Sequence, residues 1–333
     1  MKIPFISIII STFMLAGCSS DGIYRQAEGS AWHTLYHITY QSPRELDDSI
    51  RVVIDSIDSS LSFFNPESEL SAINSATGDI EVSQSIRDVY TLSRRVWQMT
   101  DSVFDPSVAP AISAWGFGKG HKVSPDTLAL DSLRSFVGLE KTNLTGTVIH
   151  KDDLRVEFNF SAVAKGYGVD RIAAMMERNG VSNYLIEVGG EIRASGVNQN
   201  GRLWRVAIDC PREDSRAGEE AVETVSFTDM GIATSGNYRN YHSATDGSRF
   251  GHTISPRSLR PVRTDILSVT VMASTCAEAD ALATAAMAMG FRKASVLLDS
   301  LKLPAVFVMA GQDSASFSVI PNKPFRELKR ADD

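Results

Sequence analysis

Asp280 and Thr284 are the residues whose types and spacing most readily do chemistry. They stand four apart in Cys276-Ala-Glu-Ala-Asp280-Ala-Leu-Ala-Thr284-Ala-Ala-Met-Ala-Met. That composition predicts a helix, closed by Gly290. Positions i and i+4 of a helix lie one above the other on one face. A carboxylate and a hydroxyl on a face of small apolar residues are two oxygen ligands for a hard cation. The plainer alternative is an Asp favoured by the helix dipole and a Thr hydroxyl bonding back to the chain.

Two further groups qualify. Lys165 sits in Ser161-Ala-Val-Ala-Lys165-Gly-Tyr-Gly-Val-Asp170, which follows the alternating stretch Leu154–Phe160. This reads as strand, tight turn and helix, and the first helical N–H groups favour an anion, typically a phosphate. The spacing is not the dinucleotide fingerprint, so no Rossmann fold follows. Lys165 either adds a point charge toward that phosphate or is a surface lysine. His252 lies in a Gly/Ser/Pro-rich loop, as an acid–base group or a structural histidine.

The elements that must position these groups follow from patterning. The β-branched run Ile266–Met272 predicts a strand buried on both faces, just before the Asp280 helix. His33–Gln41 predicts a strand, and Leu46 to Leu61 keeps helical spacing. Ser83 reads as the N-cap of a second helix. Residues 119–150 read as a surface excursion. Strands are expected at Asn183–Val188, continued by Ile192–Gly196, and at Trp204–Asp209, Val222–Phe227 and Gly231–Thr234. Ser235-Gly-Asn-Tyr238 reads as a polar turn, and a helix to Leu301 and a strand Ala305–Met309 close the pattern.

Lys2, an apolar run to Leu15 and then Ala16-Gly17-Cys18 form a secretory signal too short to span a bilayer. Leu15-Ala-Gly-Cys18 resembles a bacterial lipobox. That resemblance implies removal of residues 1–17, lipidation of Cys18 and a membrane lipoprotein facing the periplasm. Residues 18–28 then read as a tether and 29–325 as the working domain. The formal net charge is −7, and loss of Lys2 makes it −8; no basic face invites a nucleic acid. Cys210 and Cys276 remain, either paired or as small core residues.

Six motifs occur in one order: Phe104-Asp-Pro106, Ala162 to Asp170, Val188-Gly-Gly-Glu-Ile-Arg193, Thr234-Ser-Gly-Asn-Tyr238, His252-Thr-Ile-Ser-Pro256 and Glu278 to Thr284. Together they resemble the ApbE family of FAD:protein FMN transferases, over about residues 29–325. The resemblance implies an α+β fold with mixed sheets flanked by helices and the flavin between two subdomains. It implies that FAD is the substrate, with Mg²⁺ at its pyrophosphate. A Thr or Ser hydroxyl of an exported acceptor protein attacks the FMN phosphorus, and AMP leaves. The alternative is a flavin-binding lipoprotein, or a pyrophosphatase that yields FMN and AMP.

Carried over by position, the metal ligands fall on Asp280, Thr284 and the carbonyl of Ala162, with Ala283 able to offer only its carbonyl. Flavin contacts fall on Trp32, Phe64, Val103, Phe104, Asp105, Asn159, Lys165 and Ile254. Trp32 and Phe64 suit stacking on a flavin or adenine ring, or ordinary core packing. His252 is the implied base. The chain departs from the family pattern at Asn159 and Ser255, where Asp is usual, and at Trp32-His33-Thr34, where Met-Gly-Thr is usual.

Overall fold

The computed structural model describes residues 22–118, 127–211, 220–236, 241–243, 249–311 and 316–332. The signal segment, Cys18, Asn237 and Tyr238 lie outside the described residues.

The chain opens with β1 (Ile23–Ala31) and β2 (Thr34–Ser42), then α1 (Asp47–Leu61), α2 (Glu69–Ser75), β3 (Ile80–Glu81) and α3 (Gln84–Met99). Next come α4 (Ala109–Ala114), α5 (Thr127–Leu133), β4 (Thr142–Thr145), β5 (Val148–Lys151) and α6 (Ser161–Arg178). Strands β6 (Tyr184–Val188), β7 (Glu191–Ser195), β8 (Trp204–Asp209), β9 (Ala221–Phe227) and β10 (Met230–Gly236) follow. Two short strands, β11 (Tyr241–Ser243) and β12 (Arg249–Gly251), precede β13 (Ile266–Ala273), α7 (Cys276–Met289) and α8 (Phe291–Ser300). Strands β14 (Ala305–Ala310) and β15 (Phe317–Pro321) and helix α9 (Lys323–Asp332) end the chain.

The α+β class with sheets flanked by helices is what forms. The main sheet has eight strands in the order β1-β2-β6-β7-β10-β13-β14-β15. The ladders among the described residues are all antiparallel, so the sheets differ in size but not in strand direction. One face of the sheet is closed by helices. Tyr36, Ile38 and Tyr40 of β2 and Tyr184, Ile186 and Val188 of β6 are buried with α1 and α6. The residues between them, Leu35, His37, Leu185 and Glu187, point to the opposite face and line a cleft. Helix α7 is apolar on nearly all sides and accordingly lies inside, against α6, β10 and β13. Thr275 caps its start by accepting from the Glu278 N–H, and Gly290 closes it at φ 77°.

Several expectations are corrected. Ile23–Ala31 forms β1 and pairs with β2, so the tether ends well before residue 28. Leu154–Phe160 is not a strand, although Val156, Phe158 and Phe160 alternate into the core. Its backbone is satisfied otherwise: Phe158 N–H donates to Asn74 Oδ1 and Asn159 N–H to the Pro106 carbonyl. The helix begins at Ser161, so Lys165 stands in its second turn rather than in a tight turn. Ile192 does not continue β6. Gly189 and Gly190, at φ 61° and 98°, reverse the chain into β7. Ser235 and Gly236 belong to β10. Leu130, Val137, Leu139 and Ile149 are buried, so 119–150 is not wholly a surface excursion. Cys210 and Cys276 are buried, free thiols, not a pair.

Candidate active site

The cleft has a volume of about 1230 Å³ and runs between the open face of the main sheet and the segments around residues 103–117 and 252–254. Asp280, Thr284, Ala162 and Lys165 share this cleft with His252, Phe64, Val103, Phe104, Asp105, Asn159 and Ile254. One cavity thus collects residues spread over more than two hundred positions of chain.

The helix pair α6–α7 sets the reactive end. Gly166 is needed there for contact rather than for anion binding. A Cβ on it would stand 2.5 Å from the Cys276 carbonyl oxygen and 2.8 Å from Ala277 Cα. That close approach lets the Gly166 N–H donate to Asp280 Oδ2 at 3.1 Å. The start of α7 is held by Asp170, whose carboxylate accepts from the N–H groups of Cys276 at 2.9 Å and Ala277 at 2.8 Å. Burial pushes the Asp170 carboxyl up to about 6, against these bonds. Thr284 exchanges a hydrogen bond with Ser235 of β10 at 3.1 Å.

Lys165 donates to Glu191 Oε2 at 2.7 Å, and the Glu191 side chain is only 3% exposed. Burial pushes the Glu191 carboxyl up to about 7, partly offset by the Lys165 ammonium. Burial alone would lower Lys165, but the carboxylates of Glu191 and Asp280 outweigh it and the net shift is upward. Lys165 therefore stays an ammonium. Burial also raises Asp280, again against Lys165. Two buried carboxylates thus share one cation.

Other candidates serve the walls. Asp105 accepts from Ser107 N–H and Oγ, Trp97 Nε1 and Leu139 N–H, so its carboxylate chiefly organises the loop it opens. Asn159 Oδ1 accepts from Ser161 N–H at 2.8 Å, a local turn just ahead of α6 that an Asp would make equally. Phe64 is half-exposed in the cleft, edge-on to Phe63 and His33. His252 lines the cleft, edge-on to Phe117.

Two expected residues do not line it. The Trp32 indole packs on Gly168, where a Cβ would meet it at 2.2 Å, and donates to the Ile54 carbonyl. Ala283 is fully buried in the core. Conversely, Glu191 escaped notice as a functional group. Its signal was its place in the Val188 to Arg193 motif, as an acid opening a strand after Gly-Gly. The pair of His37 Nδ1 and Glu187 Oε2, 2.9 Å apart on adjacent strands of the cleft wall, had none.

The fold recurs in known flavin transferases. The structure of the flavin transferase ApbE from Vibrio cholerae matches with a TM-score of 0.81 at 30% identity, covering 92% of this chain and all of that one. The flavinyl transferase ApbE of Pseudomonas stutzeri matches at 0.80 and 26% identity. The FAD:protein FMN transferase of Vibrio cholerae is 33% identical over 328 residues, 95% of this chain and 97% of the relative. That of Escherichia coli is 32% identical, covering 86% and 83%. These relatives make the chain a transferase enzyme. Residues 32–307 match the ApbE family profile, and the chain belongs to that family.

Proposed function

We propose that the chain is a Mg²⁺-dependent FAD:protein FMN transferase of an exported lipoprotein. The observation that carries the reading is the reactive end of the cleft: Asp280 and Thr284 on one face of α7, with the paired Lys165 beside them. FAD has two phosphates and two ring systems, and the cleft offers a charged end and long apolar walls.

The donor set fits Mg²⁺. Asp280, Thr284 and the Ala162 carbonyl supply hard oxygens from two touching helices, and Mg²⁺ takes few protein ligands besides waters and substrate phosphates. Among the described residues no cluster of three or more His, Cys, Asp or Glu could hold a metal, which sets this site apart from a zinc-type cage. A bound Mg²⁺ would neutralise charge on the pyrophosphate.

The chain's own residues do the rest. Lys165, held by Glu191, faces the phosphates, and positioning with charge stabilisation carries most of such a transfer. The acceptor hydroxyl oxygen forms a bond to the FMN phosphorus, the pyrophosphate bond breaks, and AMP leaves. His252 is placed to take the hydroxyl proton. Leu15-Ala-Gly-Cys18 supports lipid anchoring with the domain facing the periplasm; among the described residues no helix is long and apolar enough to cross a membrane.

The test is incubation with FAD, Mg²⁺ and an exported electron-transfer subunit carrying an Asp-Gly-x-x-Ser/Thr-x-Thr-like site. The acceptor should gain the mass of one FMN phosphoester with stoichiometric AMP. FMN and AMP without a mass gain would replace transfer by hydrolysis.

A further inference from the structure

We infer that His37 and Glu187, on one face of the main sheet, set the position of Lys165 on the other face by holding the turn that carries Glu191. This rests on the reading above, in which Lys165 faces the FAD phosphates. The two faces are fixed by register. Val188 of β6 lies opposite Glu191 of β7, and Val188 is buried with α1 and α6. Cross-strand partners share a face, so Glu191 is on the helix side, where Lys165 of α6 meets it at 2.7 Å. Glu187, one residue before Val188, points the other way, and so does His37, its partner on β2. The Gly189–Gly190 turn joins the two faces. The cleft reaches both around that turn, since His37 and Glu187 line it as well as Glu191 and Lys165.

The turn needs an outside hold. Glycine loses more conformational freedom on ordering than any other residue, and here two stand together, both exposed. Among the described residues nothing lies within 4 Å of a Cβ built on Gly190, so packing does not fix it. Its N–H donates instead to Glu187 Oε1 at 2.7 Å. The other oxygen of that carboxylate meets His37 Nδ1 at 2.9 Å. An ionised carboxylate only accepts, so Nδ1 carries the hydrogen and the imidazole fixes the rotation of the carboxylate. Gly189 is tied to β2: its N–H donates to the Leu35 carbonyl at 3.0 Å, and a Cβ on it would stand 2.6 Å from Thr34 Cγ2. The path is continuous. It runs from imidazole to carboxylate, from carboxylate to the Gly190 N–H, across one peptide to Glu191, and from Glu191 to the Lys165 ammonium.

Stability is not what this pair supplies. The His37 and Glu187 side chains are 56% and 25% exposed, and exposed pairs contribute only about 0–1 kcal/mol. Water satisfies the exposed Gly190 N–H when Glu187 is gone, so what is lost is the position of the turn. That position matters because Glu191 is buried and its carboxylate holds the ammonium directly. A displacement of about 1 Å in a positioning group can cost on the order of a hundredfold in rate. His37 and Glu187 are therefore positioning residues, acting on the phosphates through Glu191 and Lys165.

The test compares binding of FAD with binding of riboflavin, which has no phosphate, by flavin fluorescence on the full-length enzyme. Glu187→Ala should weaken FAD about tenfold and riboflavin less than about twofold, with a urea midpoint near that of the wild type. His37→Ala should give a smaller loss of the same kind. Glu187→Gln keeps an oxygen for the Gly190 N–H and should restore most of the FAD affinity. Lys165→Met should itself weaken FAD more than riboflavin, and adding Glu187→Ala to it should cost nothing further. Equal loss of both flavins in Glu187→Ala, or no loss, overturns the inference and leaves the transferase reading standing. So does a glutamine variant as weak as the alanine one, a His37→Ala variant like the wild type, or a full further loss on the Lys165→Met background. If Lys165→Met weakens FAD and riboflavin alike, Lys165 does not face the phosphates, and that part of the reading fails and this inference with it.

Discussion

Lys165→Met tests the charge arrangement at the reactive end. Among the described residues Lys165 is the one cation that pairs with Glu191, at 2.7 Å, and it also offsets Asp280. Methionine keeps the length and removes the charge. Removing the ammonium leaves a buried carboxylate uncompensated, but the Lys165 side chain is 36% exposed and Glu191 can take up a proton, so the cost falls below the about 3–5 kcal/mol of a fully buried pair. Typical domains hold about 5–15 kcal/mol in total, so a loss of roughly 1–2 kcal/mol is readily measured. The pH dependence follows from Glu191. Its folded carboxyl is pushed up to about 7, above the ordinary carboxylate range, and losing Lys165 raises it further. A carboxyl whose folded value is raised is neutral below that value. The cost of a raised carboxyl builds as pH climbs from the unfolded value to the folded one, so the extra loss in the variant opens above about 7. Between about pH 5.5 and about pH 8 the variant's loss should therefore grow by roughly 1 kcal/mol.

The assay is urea unfolding followed by the fluorescence of the four tryptophans. The double variant Lys165→Met/Glu191→Met should recover most of the loss at about pH 8, because no buried charge is then stranded by the missing ammonium. Equal midpoint shifts at both pH values, or a double variant as unstable as the single one, would refute the reasoning.

Asp280→Ala should remove most Mg²⁺-dependent turnover, and Thr284→Val should raise the Mg²⁺ concentration for half-maximal activity; unchanged titrations in both would place the cation elsewhere. Gly166→Ala forces a Cβ against the Cys276 backbone and should cost about 1–3 kcal/mol in chemical unfolding. His33 turns the β1–β2 hairpin at φ 65°, so His33→Gly should stabilise by roughly 1 kcal/mol, read as a higher melting temperature. Cys18→Ser should release soluble protein that still binds FAD; a variant still in the membrane fraction after a salt wash would contradict the lipobox.

What was legible in the sequence was local. Asp280 and Thr284 share a face because they stand four helical positions apart, and the largely apolar α7 had to be buried. What was not legible depends on contacts that fold across the chain. Lys165 and Glu191 meet over 26 positions, through a hairpin whose reversal only its two positive-φ glycines announce. The alternation of Val156, Phe158 and Phe160 marks burial. It was misread as a strand because its partner is the Asn74 side chain, 84 positions away. Trp32 has the right chemistry for stacking, but Gly168 leaves a slot that its ring fills on the far side of the sheet turn.

Gly166 and Gly168 also reassign the origin of the site's charge problem. Read as a phosphate-binding turn, they would supply free N–H groups for an anion. In the fold they bring two backbones together, and the N–H groups at the start of α7 are taken by Asp170. The anion cannot then rest on helix ends alone. Two buried carboxylates and one ammonium already carry a deficit of positive charge before a pyrophosphate arrives. Close approach of FAD phosphates to Asp280 therefore requires a further cation or a proton. On the proposed reading that cation would be held by the Asp280, Thr284 and Ala162 oxygens, and metal and FAD should then bind with mutual dependence rather than independently.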